Sequence, residues 1–333
     1  MNRREVIRLG VASVAASSLG AVGSLPAFAQ SKIVLKSSDV HPLGYPTVEA
    51  VVRMGNKLEA ATNGRISIQM FPAMQLGGEK EMIEQAQVGA LQMARISVGP
   101  VGTVVKELNV FNMPFVFRDE AHMRKVIDGE IGREMLDKIS SNPATKLIGL
   151  CWMDAGSRNV YTSRPIRKPD DLKGLKIRMM GNPIFVDTMN AMGGNGISMG
   201  FSELYSALQT GVVDGAENNP PTYMTHTHHQ IAKYFSFTEH LIIPEILVFS
   251  RVVWEKLSKE DQDLIKKVAA EAQHEQRQLW DKMVEDSMAK LKEAGVTFVT
   301  DVDKKAFQEA VKPVYDKHGG EFADLLKRIQ AVQ

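Results

Sequence analysis

Two arginines and a pair of asparagines stand where strand-like runs meet turns: Arg158 in "AGSRNVY", Arg178 in "LKIRMM", and Asn218-Asn219 in "DGAENNPP". In an open α/β sheet, strand ends of this kind face the ligand. A planar guanidinium donates in parallel to both oxygens of a carboxylate, so two guanidiniums and a carboxamide on one spot suit a carboxylate clamp. Arg178 carries the sharper question. An arginine among Ile177, Met179 and Met180 ordinarily turns to solvent; the competing expectation is that it waits at a strand end for an anion.

Other patterns offer less. The glycine-rich "MGGNGISMG" (192–200) follows a helical segment and lacks both the G-x-G-x-x-G spacing and a Lys-Ser/Thr pair, so nucleotide binding is not expected. In "HTHH", His226 and His229 would share a helix face as two metal ligands, but no third with zinc spacing lies nearby. Neither a metal nor a cofactor is expected. No G-x-S-x-G elbow, CxxC pair or H-E-x-x-H helix occurs. The chain therefore reads as a binder; the rival class is an exported enzyme acting on an organic acid through His240 or the His226 cluster. Cys151 is the sole cysteine, lies in the apolar "KLIGLCWM", and reads as a buried structural thiol.

The elements that would position these residues alternate along the chain. "SKIVLKSSD" and "RISIQMF" read as strands around a helix in "PTVEAVVRMGNKLEAATNG", whose Val48, Val51, Val52, Gly55 and Leu58 share a face. A Gly77-Gly78 turn opens the helix "EKEMIEQAQVGA", and "LQMARI" follows as a strand. This alternation predicts an α/β domain with a largely parallel sheet. A second set starts at "KLIGLCWM" and continues through "SRNVYTS", "LKIRMM", two helices ("PIFVDTMNAM" and "FSELYSALQTG") and a strand into "DGAENN". "YFSFTEHLIIPEILVFS" is long enough to cross back to the first domain. A helix from Ser258, its N-cap, to about Ala294 exceeds one domain's needs and should span both. The tail, "VTFVT" and two further helices, would return to the second domain. Trp152 and Phe201 read as core residues.

The 333 residues suit two domains sharing a cleft, and 44% hydrophobic with 24% charged residues is ordinary for a globular protein. The first stretch has a basic start (Arg3, Arg4, Arg8), a weakly apolar middle and a small-x-small end at Ala27-Phe28-Ala29. It reads as an export signal cleaved after Ala29, twin-arginine-like with a general secretion signal as the alternative, which places the mature chain in the periplasm. Taking its three arginines and one glutamate from the 40 basic and 39 acidic residues leaves a net charge near −1. No basic stripe points to nucleic acid, and no other apolar run is long enough to enter a membrane.

At "DLKGLKIRMM", continued by "NAMGGNGISMGFSELYSALQTGVVDGAENNPP", the sequence resembles the solute-binding proteins of tripartite ATP-independent periplasmic (TRAP) transporters, the C4-dicarboxylate and sugar-acid group. The likeness also takes in "GGEKEMIEQAQVGALQMA" and extends over essentially all of the mature chain. The resemblance implies a two-lobed, periplasmic-binding-protein-like α/β fold that closes on an organic acid, which a TRAP membrane permease then takes up on an ion gradient. It also implies Arg178 as the carboxylate-clamping arginine, Arg158 as the second arginine and Asn218 as the amide.

Glu79 and Arg95, at a helix start and a strand end, should face the cleft; their alternatives are a helix N-terminal carboxylate and an ion pair. Glu217 is either a structural acceptor or a ligand contact. The expected lobes are 30–154 with about 242–282, and 155–241 with about 283–333, hinged near Asp154, Leu241 and the long helix. Because Glu79, Asp154, Glu217, Asn218 and Asn219 offer acceptors for hydroxyls, a sugar acid such as a uronate is expected over a C4 dicarboxylate, with Arg95 as a possible second clamp for a diacid.

Overall fold

The computed structural model describes residues 32–333; the expected export signal and its cleavage point lie outside the described residues. The first sheet begins with β1 (Ile33–Ser38), α1 (Pro46–Ala61), β2 (Ile66–Phe71), α2 (Glu79–Gln87) and β3 (Met93–Ser97). The short α3 (Val98–Val101), then α4 (Glu120–Asp128) and α5 (Glu130–Ser141), lead to β4 (Leu147–Met153). Proline at the start of α1 fits the helix entry, where its missing N–H costs nothing. Val48, Val51, Met54 and Leu58 of α1 are buried, while Val52 of the expected face is only half-buried against a separate cluster with Tyr45 and Trp280.

The chain then crosses to a second sheet. β5 (Ser157–Thr162), β6 (Lys176–Met179), α6 (Pro183–Ala191), β7 (Asn195–Ser198), α7 (Leu204–Gln209), β8 (Gly215–Asn218), α8 (Pro220–Thr225) and β9 (Tyr234–Ile242) build most of it. β10 (Glu245–Ser250) returns to the first sheet, followed by the short α9 (Arg251–Trp254) and the 35-residue α10 (Lys259–Glu293). β11 (Thr297–Val299) adds a last strand to the second sheet.

Strand order is β2-β1-β3-β10-β4 in the first sheet and β11-β9-β5-β8-β6-β7 in the second. Each sheet is parallel except for one strand: β10 runs against β3 and β4, and β5 against β8 and β9. Both reversed strands are the ones that have just crossed between sheets, through residues 154–156 and 243–244. α10 packs on α1 and β4 of the first lobe and on α8 of the second. Its N-cap is Ser258, whose hydroxyl accepts from the Asp261 backbone N–H at 3.2 Å.

The tail differs from the expectation of two helices. Three follow β11: α11 (Lys304–Ala310), α12 (Lys312–His318) and α13 (Ala323–Ala331). Pro313, in the first turn of α12, separates it from α11, since proline has no N–H for an uninterrupted helix. A 3-10 turn over Gly319–Phe322 separates α13. That last helix lies against α4, where the His122 ring bonds the Ile329 carbonyl.

Trp152 is core, as expected: it packs edge-on to Phe111 and donates from Nε1 to the Gly132 carbonyl at 3.0 Å. Cys151 is buried too, and burial pushes its thiol up to about 12, so it stays protonated and inert. Phe201 is not core. Its ring lies at the cleft between the sheets, 4.7 Å from His226, because the 3-10 turn that carries it sits at the end of β7. The "HTHH" stretch does not form a continuous helix either: α8 ends at Thr225 and a separate 3-10 turn spans His228–Gln230. No group of three or more His, Cys, Asp or Glu side chains is placed to hold a metal ion among the described residues.

Candidate functional site

The sheet register explains why distant residues meet. β5 runs antiparallel to β8, so Arg158 at the start of one lies beside Asn218 at the end of the other, with Asn159 opposite Asn218. β6 runs parallel to β8 and brings Arg178 opposite Ala216. All three side chains therefore gather at one edge of the second sheet. Facing them across the cleft are Glu79 at the first turn of α2, Arg95 and Ser97 on β3, Glu245 at the start of β10, and His41 after β1. Together with Val40, Met180, Phe201, Asn219 and Thr222 they line a small cavity of about 30 Å³. A larger groove of about 740 Å³ adjoins it, sharing Glu79, Arg178, Met180 and Phe201.

The three arginines are not equivalent. Arg158 is buried and its charge is met: Nε donates to Glu217 Oε2 at 2.5 Å, and Nη2 to Glu217 Oε1 at 2.8 Å and the Glu217 carbonyl at 2.9 Å. Its Nη1 donates to Asn218 Oδ1 at 3.1 Å. Burial disfavours the Arg158 charge, but Glu217 outweighs it and the group stays above its ordinary value.

Arg95 is 1% exposed and tied to three carboxylates: Asp39 (Nη2, 2.5 Å), Glu79 (Nη1, 2.7 Å) and Glu245 (Nη1, 2.6 Å). Burial again opposes the charge, and Asp39, Glu245 and Glu79 together raise the group well above its ordinary value.

Arg178 has no such partner. It is 2% exposed, donates from Nε to the Met199 carbonyl at 2.9 Å, and lies 5.5 Å from the Phe201 ring centre. Its Nη1 is buried and makes no hydrogen bond. Burial lowers the group from its ordinary value, with Glu217 opposing. A buried cation without a hydrogen-bonded anion is unfavourable unless something else supplies the charge.

Five of the six expected site residues thus line the cavity: Arg158, Arg178, Asn218, Glu79 and Arg95. Glu217 lies behind Arg158, fully buried, and is not in the lining. Asp154 is also elsewhere, paired with Arg124 at 2.5 Å and Arg277 at 3.4 Å. Asn219 lines the cavity while capping α8, its side chain accepting from the Thr222 N–H at 2.8 Å.

The sequence reading missed His41, Ser97 and Glu245. Glu245 did leave a signal, since it is the one charged residue in "LIIPEILVFS". His41 left none: its meaning comes from His226, whose Nε2 lies 3.2 Å from His41 Nδ1 across the cleft. Burial holds His41 well below the usual histidine value and His226 down at about 4, so both rings are neutral.

Further contacts cross the cleft beside them. The Tyr45 and Thr222 hydroxyls are 2.9 Å apart, and Asn182 donates to the Gly99 carbonyl at 2.8 Å. A Cβ on Gly99 would stand 2.4 Å from the Phe185 ring, so only glycine admits this approach.

Comparison with known proteins places this geometry. Residues 37–321 match the model of the bacterial extracellular solute-binding proteins, family 7. A TRAP periplasmic solute binding protein from Pseudomonas putida F1, solved with bound D-glucuronate, is 59% identical with a TM-score of 0.89, covering 90% of this chain and 98% of that one. One from Citrobacter koseri appears in two states. With bound D-glucuronate it gives a TM-score of 0.88 at 48% identity, covering 90% and 99% of the two chains. In its apo, open form it gives 0.79 at 46%, covering 89% and 99%. The present arrangement of lobes is thus nearer the ligand-bound form. The C4-dicarboxylate-binding periplasmic protein of Rhodobacter capsulatus is more distant, 32% identical over 92% of each chain. By fold, by the match over 37–321 and by these relatives, the chain belongs to the bacterial extracellular solute-binding proteins of family 7, as a TRAP solute-binding protein rather than an enzyme.

Proposed function

We propose that this protein captures a hexuronate in the cleft between its lobes and delivers it to the membrane permease of a TRAP transporter. The observation that carries the ligand class is the inequality of the arginines. Arg178 alone offers an unpaired, buried guanidinium N–H to the cavity, so one carboxylate is called for. Arg158 adds a steering hydrogen bond rather than a free charge, because Glu217 has neutralised it and holds it in place. Asn218 spends only its Oδ1 on Arg158 and the Asn219 N–H, leaving its amide hydrogens for ligand oxygens.

A diacid would need a second cationic clamp, and Arg95 is not one. Asp39, Glu79 and Glu245 surround it, so a second ligand carboxylate would meet acids. The same acids suit the hydroxyls of a sugar acid, with Glu79 the acceptor nearest the mouth. The glucuronate in the P. putida and C. koseri relatives supports this reading.

Around the site, the lobes are 30–154 with about 242–282 and 155–241 with about 283–333. They close about the crossings and α10, and the precursor is exported and cleaved after Ala29. A thermal-shift panel of glucuronate, galacturonate, gluconate, succinate, malate and fumarate tests the ligand class. Stabilisation by the uronates is expected; stabilisation by the diacids alone would overturn it in favour of C4-dicarboxylate binding.

A further inference from the structure

One hydroxyl on the cavity wall has two carboxyl groups competing for it. Ser97 Oγ lies 3.0 Å from Glu79 Oε1 and 3.0 Å from Glu245 Oε1. A serine hydroxyl has a single hydrogen, so it donates to one carboxyl and must accept from the other. Were both carboxyls ionised, one of these contacts would set two lone pairs against each other in a dry site.

The remaining contacts say which carboxyl holds the proton. Glu79 Oε1 already receives the Ser97 backbone N–H at 2.9 Å and Arg95 Nη1 at 2.7 Å, the surroundings of a carboxylate oxygen. The Ser97 hydrogen therefore points to Glu79, and Glu245 Oε1 carries the hydrogen directed at Ser97. Glu245 Oε2, as the carbonyl oxygen, accepts from Arg95 Nη1 at 2.6 Å.

We infer that Glu245 is a neutral carboxylic acid in the cavity wall, donating to Ser97, and that uronate affinity depends on this proton. The inference rests on the uronate reading above. Ionising Glu245 would set a third carboxylate around Arg95 and repel the ligand anion. The surrounding charges agree. Asp39 after β1 and Glu79 on α2 supply two carboxylates against the one charge of Arg95 on β3. Arg158 on β5 is already neutralised by Glu217, and the neighbouring Tyr45 hydroxyl and His41 ring are neutral. Burial raises the Glu245 carboxyl above the ordinary glutamate value, with Arg95 opposing and Glu79 reinforcing it. Because a raised acid loses its proton only as pH climbs, affinity for an anion is highest at low pH and declines upward.

Two measurements test this on the whole protein. Infrared difference spectra of ligand-free wild type should show a protonated-carboxyl stretch that fades as pH rises and is absent in Glu245→Gln. Calorimetric titration with D-glucuronate between about pH 6 and 9 should show a decline of roughly tenfold or more, the expected size for a new charge beside a bound one. In Glu245→Gln, whatever its affinity at one pH, that slope should vanish. Histidine protonation would strengthen anion binding in the same direction, but its slope would persist in the variant. An infrared band unchanged by the substitution, a flat wild-type profile, or an equal slope in Glu245→Gln overturns the inference. Failure of glucuronate to bind at any pH would sink the uronate reading, and the infrared titration of wild type and Glu245→Gln, which needs no ligand, would still decide the proton.

Discussion

Arg158 and Arg178 lie on the same sheet edge, yet stripping the partner from one and removing the other should have opposite consequences for the empty protein. Glu217→Ala strips Arg158 of its buried partner and leaves an uncompensated cation, so roughly 3–5 kcal/mol of stability is expected to be lost. Arg178→Ala removes a cation that has no ion-pair partner among the described residues, so the ligand-free melting temperature should hold or rise. Thermal unfolding of both variants without ligand checks the pair; equal destabilisation would mean that Arg178 is structural. The positions of both arginines were legible because strand-to-turn boundaries are visible in the sequence. Which arginine is free was not legible. That depends on whether Glu217 folds onto Arg158, and a strand's pattern does not fix which neighbour a carboxylate chooses. Glu245 and His41 went unread for the same reason: their partners, Arg95, Ser97 and His226, arrive through sheet register and lobe contact.

At the scale of elements, the crossings between sheets carry the mechanical argument. Gly156, between β4 and β5, has φ +62°, and a Cβ there would stand 2.8 Å from the buried Trp280 ring of α10. Gly156→Ala is therefore expected to cost at least ~1–2 kcal/mol from the left-handed backbone alone, more if the indole must move. Chemical denaturation gives the value, and a change under ~0.5 kcal/mol would show the crossing to be freer than the geometry implies. The Asp154 backbone N–H and carbonyl both bond the Gln276 side chain of α10, at 2.8 Å each, so the long helix grips this crossing directly.

The sequence foretold part of this element order. Periodicity and turn signals recovered β1 to β6 and β8, while β7 stayed hidden in the glycine-rich run and β9 and β10 in one crossing segment; Ser258 marked the start of α10 because capping is a local signal. The tail was less legible: the helical pattern over 304–318 hides a break that only the proline betrays, and packing against α4 decides where α13 ends up.

For the molecule as a whole, buried histidines set the acid limit. Burial pushes His226 and His240 each down to about 4. Unfolded histidine titrates near ~6.5, so between these values the unfolded chain binds more protons than the folded one. Their stabilising contribution is full above about pH 6.5 and shrinks as pH falls toward 4. Glu120, Asp154 and Glu245 work the other way, since burial raises them and their contribution fades as pH climbs through the raised values. The melting temperature should therefore fall on acidification from about pH 6.5, less steeply in His240→Gln; an unchanged slope in that variant would contradict the assignment.

His226 also faces His41 across the cleft, and burial keeps both rings neutral. Arg178 and the acids around Arg95 stand on opposite sides of one small cavity. The central claim, that Arg178 alone supplies the charge for one ligand carboxylate, is tested most directly by calorimetric titration of wild type and Arg178→Ala with D-glucuronate and with succinate. Wild type should bind glucuronate and not succinate, and Arg178→Ala should lose on the order of 10²–10³-fold in affinity while staying folded. Wild-type affinity retained in Arg178→Ala would contradict the account.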